Sequence, residues 1–339
     1  MRQSKKCILL IYQDFSSFVR YDYQILSKKH KVVLYRLKIS KNIFRTIYYL
    51  IRFLLFFFRN IFRVRIIYCW FADYHSILPA FFSVIFKKPF FISVGGYDAI
   101  YIPELKYGVY SNFFRSFCAG YALKHAVGCL CVTDSIINNL KKRFGERVNL
   151  YIIPTGYDVE RFTFRKEHPG KCILTVGLVS DYKTLRIKGL NRFAELARLM
   201  PDYRFIMVGV STNMKIYLEP VSDNLEIYEP VEHSKLVSFY HQARVYTQLS
   251  IDEGLPNAVC EAMLCGCIPV GTKAGGIPMA IGNVGFLINE WNIEECIKLI
   301  HEAFDSKNDQ LGKRARDYII RKFTLDKREA SLNKLFDSF

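Results

Sequence analysis

Glu253 and Glu261 stand eight residues apart in the stretch SIDEGLPNAVCEAMLCGCIPVGTKAGGIP, Ser250 to Pro278, where the pattern passes from loop to helix. Glu253, Gly254 and Leu255 read as a turn after the apolar run Val245 to Leu249. Pro256 suits a first helical position, where its missing N–H has no partner to lose, and Asn257 to Leu264 continue the helix. A helix start presents unpaired amides and a positive dipole end, which suits a diphosphate. Glu253 at the mouth and Glu261 further in would face the two ends of an elongated ligand, and carboxylates accept hydrogen bonds from sugar hydroxyls. The expected ligand is a nucleotide sugar, with its sugar, diphosphate and ribose in a row.

The same segment resembles the donor motif of the family-4 retaining glycosyltransferases, which have the two-domain GT-B fold. Their pattern is a Glu, seven residues, a second Glu, a short strand and a Gly-Gly-Ile-Pro loop; here it is met by Glu253, Glu261, Cys267 to Val270 and Gly275 to Pro278. The resemblance implies that Glu253 contacts the transferred sugar and Glu261 the nucleotide ribose. It covers about 30 residues closely. Met279 departs from it, since relatives usually carry Glu after Gly-Gly-Ile-Pro.

Further residues follow from the resemblance. Ile173 to Leu190 read as a strand containing Gly177, a loop and a helix start with Lys188-Gly189. In relatives a strand-end Arg and a Lys-Gly pair hold the diphosphate. Lys188 matches the Lys, but the Arg position is Leu178. Lys183 and Arg186 in the intervening loop are either solvated charges or, for Arg186, a replacement grip on the phosphate. Donor contacts are thus expected from Gly177, Arg186, Lys188, Gly254, Leu255, Pro256, Asn257 and Glu261. Pro230 to Leu236 and Tyr240 look like the segment beside the base, with His233 a surface or capping residue.

Ser93 to Ala99, SVGGYDA, supplies the first-lobe candidates. Relatives often carry His-Gly where this chain has Gly95-Gly96, so Asp98 is the nearest acid, with Asp73 and His75 as weaker candidates. Asp98 is expected either to meet substrate, even as a proton acceptor, or to cap the following turn. No Asp-x-Asp motif is present, and neither a metal nor a cofactor is expected beyond the nucleotide-sugar co-substrate.

These residues need a frame, and the apolar runs provide one. Runs at Cys7–Tyr12, Val32–Leu37, Ile66–Trp70, Phe90–Val94, Cys129–Val132 and Leu150–Ile153 alternate with helix-length segments, as in a parallel doubly wound sheet. A second series runs through Cys172–Val176, Arg204–Val208, Leu225–Tyr228, Val245–Leu249, Cys267–Val270 and Gly285–Ile288. The expected architecture is α/β of the GT-B type: two Rossmann-like lobes, residues 1–155 for the acceptor and 165–310 for the nucleotide sugar, with the ligand in an interdomain cleft. Residues 311–339 are expected as helices that partly pack back on the first lobe.

The 339 residues carry a net charge of +17 and 51% apolar residues. Lys38, Lys41, Arg45, Arg52, Arg59 and Arg63 fall within roughly 60° of one another on a helix expected over residues 38–63, the remainder of which is aromatic and aliphatic. Arg52 and Arg59 interrupt any membrane-spanning window. The helix either lies in an anionic membrane surface or packs its apolar side on its own sheet. No nucleic-acid motif accompanies the charge, so nucleic acid is not an expected partner. The ten cysteines read as reduced core residues, and Cys7–Tyr12 is too short for an export signal.

The chain is therefore expected to be a cytoplasmic transferase, peripheral at the inner face of the cytoplasmic membrane. It would move sugar with retained configuration to a glycan or lipid-linked acceptor in cell-surface polysaccharide synthesis. A non-catalytic nucleotide-sugar binder is the alternative.

Overall fold

The computed structural model describes residues 5–40, 42–166, 170–305 and 310–339. The chain forms two compact units, Met1–Gly156 with Leu325–Phe339, and Tyr157–Thr324.

In the first unit the order is β1 (Cys7–Tyr12), α1 (Ser17–Lys29), β2 (Lys31–Arg36), α2 (Ile43–Asn60), β3 (Ile66–Trp70), α3 (Ile77–Ile85), β4 (Phe90–Val94), α4 (Phe113–His125), β5 (Gly128–Cys131), α5 (Asp134–Phe144) and β6 (Leu150–Ile152). The sheet is parallel in the order β2-β1-β3-β4-β5-β6. Helices cover both faces of such a sheet, so its central strands need no polar face. Accordingly all five residues of β3 and of β4 are buried.

The second unit runs β7 (Cys172–Val179), α6 (Tyr182–Ile187), α7 (Leu190–Leu199), β8 (Arg204–Val210), β9 (Leu225–Tyr228), α8 (Leu236–Tyr240), β10 (Val245–Gln248), α9 (Asn257–Leu264), β11 (Ile268–Thr272), α10 (Ile277–Ile281), β12 (Phe286–Ile288), α11 (Ile293–Phe304) and α12 (Leu311–Lys322). Its sheet is also parallel, β12-β11-β10-β7-β8-β9. The strands follow the expected apolar runs to within a few residues.

The last helix, α13 (Leu325–Asp337), belongs to the first unit. Arg328 on it is buried and donates Nη2–H to Asp22 Oδ2 on α1 at 2.7 Å and Nη1–H to the carbonyls of Ile153 and Pro154 at 3.0 and 2.7 Å. Asp22 Oδ2 also accepts from Tyr68 Oη at 2.7 Å and Trp70 Nε1 at 2.8 Å. A fully buried ion pair is costly to desolvate, but here every charge has several partners.

α2 is shorter than the helix expected over 38–63. Asn42 caps it, accepting from Arg45 N at 3.1 Å, while Thr46 Oγ1 donates to Ser40 O at 2.8 Å. Lys38 and Arg63 lie beyond the helix ends, and Lys41 lies outside the described residues. The helix buries Phe53 and Phe57, and at 100° per residue Phe44, Tyr48, Ile51, Leu55 and Phe58 share another, exposed side next to Arg45, Arg52 and Arg59. Among the described residues no helix is long and apolar enough to cross a membrane.

Arg328→Ala strands the Asp22 carboxylate in the core. It should destabilise the first unit by about 3–5 kcal/mol, and a denaturant midpoint unchanged from wild type would contradict this account.

Candidate functional site

In a doubly wound sheet, ligands bind outside the carboxyl ends of the strands where strand order reverses. In the second unit that point lies between β7 and β10. The two strands pair only at Ile173↔Val245 and Leu174↔Tyr246. Beyond that, side chains join them: Thr175 Oγ1 donates to Thr247 O at 3.0 Å, and Tyr246 Oη donates to Val176 O at 3.3 Å.

Glu253 lies five residues past the end of β10, and three donors converge on its Oε1: Lys188 Nζ at 2.6 Å, Ser250 Oγ at 3.0 Å and Gln248 Nε2 at 3.1 Å. Lys188 comes from the α6–α7 junction, and the backbone brings it there. Ile251 N donates to Ile187 O at 2.8 Å, and Gly189, at φ +67°, approaches so closely that a Cβ would stand 2.0 Å from Leu249 O. Only glycine fits that turn without strain. Gly177 on β7 lies beside the Lys188 stem, its absent Cβ 3.7 Å from Cγ.

The Gly-Gly-Ile-Pro loop closes on the same carboxylate residue from β11. Gly276 N donates to Glu253 O at 2.8 Å, Thr272 Oγ1 donates to Ser250 O at 2.6 Å, and a Cβ on Gly275 would stand 2.2 Å from both Glu253 O and Asp252 Oδ1. Asp252 itself is pushed up to about 6 by burial.

Glu261 occupies a separate polar cluster on α9. His233 Nε2 contacts its Oε1 at 2.8 Å, and Tyr240 Oη donates to its Oε2 at 3.0 Å. Burial, and then the nearby Glu261 charge, hold the Tyr240 hydroxyl well above its ordinary range. Pro256 precedes α9 rather than beginning it, with backbone ψ of 104°, and Asn257 Oδ1 accepts from Tyr157 Oη at 2.9 Å. Gly254, Leu255 and Pro256 are buried in the turn between the two acids.

Several expected features are placed differently. The segment read as a loop around Lys183 and Arg186 is α6, because Asp181 caps it by accepting from Thr184 N at 3.0 Å. Arg186 sits exposed in its last turn, and Leu178, at the usual Arg position, is 72% exposed. Asp98, expected to meet substrate or cap a turn, is fully buried: Oδ1 accepts from Gly95 N at 3.0 Å and Gly96 N at 2.9 Å, and Oδ2 from Ala72 N at 3.0 Å. It serves the turn, and burial pushes it up to about 6 against those donors. A side chain at Gly95 would start 2.4 Å from Phe71 Cε1, so the ring of Phe71 fills the space beside Gly95. His75 is buried with Nε2 on Trp70 O at 2.7 Å.

Gln248, Ser250 and Asp252 went unread in the sequence, although all three fall within five residues of Glu253. Among the described residues no group of three or more His, Cys, Asp or Glu is placed to hold a metal ion.

Residues 157–319 match the family model for glycosyl transferases group 1. The match spans nearly the whole second unit, which contains both acid clusters and the Lys188 turn. Among curated proteins, the chain is 23% identical over 221 residues to a phosphatidylinositol N-acetylglucosaminyltransferase component of Arabidopsis thaliana, covering 61% of this chain and 49% of that protein. It is 29% identical over 165 residues to the Homo sapiens counterpart, covering 45% and 33%. The chain thus spans half or less of these relatives' length. Among solved structures, a sucrose-phosphate synthase from Thermosynechococcus elongatus superposes with a TM-score of 0.78 at 14% identity over 98% of this chain and 99% of that one. Anabaena HepE, in complex with UDP and glucose, gives 0.76 at 14% identity over 98% and 100%. The fold is that of GT-B glycosyltransferase structures.

Gly189→Ala forces a left-handed backbone against Leu249 O. It should cost about 1–3 kcal/mol and loosen the Lys188–Glu253 pair, so a wild-type melting curve would refute the close approach.

Proposed function

We propose that the chain is a retaining glycosyltransferase, moving a sugar from a nucleotide diphosphate donor to a glycan or lipid-linked acceptor in cell-surface polysaccharide synthesis. The observation that carries this reading is the Lys188–Glu253 pair at the strand-order reversal of the unit that matches the group 1 model, with Glu261 held separately on α9. In support, HepE is a structural neighbour solved with UDP and glucose, and the two curated relatives are named for N-acetylglucosamine transfer to phosphatidylinositol.

Glu253, steadied by three donors on one oxygen, positions the sugar, and Glu261 takes the ribose. Lys188 and the amides that open α9 stabilise charge developing on the departing diphosphate. The acceptor oxygen attacks from the face the diphosphate leaves; the C–O bond to phosphate breaks, the new glycosidic bond forms, and the acceptor proton passes to the leaving phosphate. Arg186 adds a second cation in place of the Arg absent at Leu178, and the chemistry needs no metal. The exposed aromatic side of α2, next to Arg45, Arg52 and Arg59, seats the protein on the inner, anionic face of the cytoplasmic membrane.

The exposed Leu178 and the ring at Gly95 favour a second reading, a sugar-nucleotide binder without turnover.

Glu253→Ala should abolish transfer and largely spare nucleotide binding, whereas Glu261→Ala should weaken binding itself; equal, mild effects of both in donor-turnover and calorimetric assays would sink the assignment. In a thermal-shift panel of UDP, GDP, ADP and their sugars, one diphosphate should stabilise wild type and lose that effect in Lys188→Ala. Binding without any donor turnover would instead establish the binder.

A further inference from the structure

Away from the donor groups, the second unit has a further cavity of about 510 Å³, lined by Asn283, Val284, Arg314, Asp317, Ile320 and Arg321. Asn283 and Val284 precede β12, so the cavity opens at the amino edge of the parallel sheet, opposite the edge that carries Glu253. The other four residues lie on α12.

α12 turns two of its polar side chains inward. Tyr318 Oη donates to Met279 O at 2.9 Å, and Arg316 donates Nη1–H to Phe162 O at 2.6 Å and Nη2–H to Val159 O at 3.3 Å. Arg314, Asp317 and Arg321 are exposed, and among the described residues none of the three has a hydrogen bond or an ion pair.

Spacing alone does not keep them apart. Arg314 and Asp317 stand three residues apart, and Asp317 and Arg321 four, the separations at which opposite charges pair on a helix surface. At 100° per residue the three fall within about 60° of one another, so one side of the helix presents them together to the cavity they line. Arg314 also stands in the first turn of α12, where the helix dipole disfavours a cation. Helix stability explains neither that charge nor its place, whereas a bound anion explains both.

The order of charges selects the ligand. Arg314 and Arg321 are attached two turns, or about 10 Å, apart along the axis, with the Asp317 carboxylate between them and Val284 and Ile320 as apolar floor. A guanidinium grips a phosphate with two parallel hydrogen bonds. A carboxylate only accepts, and it repels phosphate, so the middle of the ligand must bring a hydroxyl.

We infer that this cavity is a second ligand site and takes a sugar bisphosphate, with one phosphate at each arginine and a sugar hydroxyl at Asp317. The site goes beyond the transferase reading and does not rest on it, because no donor-site group lines the cavity. Its occupant binds in addition to a nucleotide sugar, not in place of one.

The test is calorimetry on the full chain with fructose 1,6-bisphosphate as probe, beside fructose 6-phosphate, inorganic phosphate and hexanediol bisphosphate, which keeps both charges without the hydroxyls. The sugar bisphosphate should bind about tenfold or more tighter than either one-ended anion, and tighter than the hydrocarbon bisphosphate. Arg314→Gln and Arg321→Gln, both at exposed positions, should each remove the preference for two phosphates while leaving the melting curve unchanged. Asp317→Ala should remove the preference for the sugar over the hydrocarbon spacer. Lys188→Ala should change none of these. Equal binding of one-ended and two-ended anions, wild-type affinity in either arginine variant, an unchanged spacer preference in Asp317→Ala, or loss of the probe in Lys188→Ala would each overturn the site. An absence of donor turnover, by contrast, sinks the transferase reading and leaves this site standing.

Discussion

Every strand in both sheets is parallel, so all carboxyl ends of a sheet lie on one edge, and the rest of each unit is arranged around that constraint. Connections must cross back as helices, the strands are covered on both faces, and polar side chains are driven to the open edge. In the second unit that edge collects Gly177, Gln248, Ser250, Glu253 and Thr272, which come from the ends of β7, β10 and β11 or the turns after them, and Lys188, which comes from the α6–α7 junction. In the first it collects Gln13, Asp73, Tyr97 and Asp98.

Close backbone approach then sets distances at the edge. Gly189 against Leu249, and Gly275 against Glu253, bring chain segments nearer than any side chain allows. Lys188 and Glu253 meet because these contacts fix the segments that carry them, and the partly exposed pair adds little stability of its own. Its value is orientation: a carboxylate with three donors on one oxygen has few rotamers left.

The first unit solves a different problem. Its chain leaves after residue 156 and returns at 325, so the last helix must be attached by side chains rather than by sequence neighbours. Arg328 does this through Asp22, Tyr68 and two carbonyls of the 153–154 segment. Asp98 plays a similar part in the loop after β4, where a carboxylate replaces the backbone partners a tight turn cannot supply.

The strands, the order of elements and the two acids were legible in the amino-acid order, because apolar runs and a Glu-x7-Glu spacing are local and survive translation into any fold context. Helix limits were legible only in part: Asn42 and Asp181 could have been read as caps, which would have shortened α2 and revealed α6 in place of a loop. It took the folded chain to show that His233 and Tyr240 meet Glu261, that Gln248 and Ser250 share Glu253 with Lys188, that Phe71 fills the space beside Gly95, and that Asp98 spends its charge on backbone amides. The meetings of Lys188 with Glu253, His233 with Glu261 and Ala72 with Asp98 join residues that only the crossovers of a parallel sheet bring together. Gln248, Ser250, Gly95 and Gly96, by contrast, are sequence neighbours of the acids they bond, and the path of the turn decides those contacts; no local periodicity encodes either.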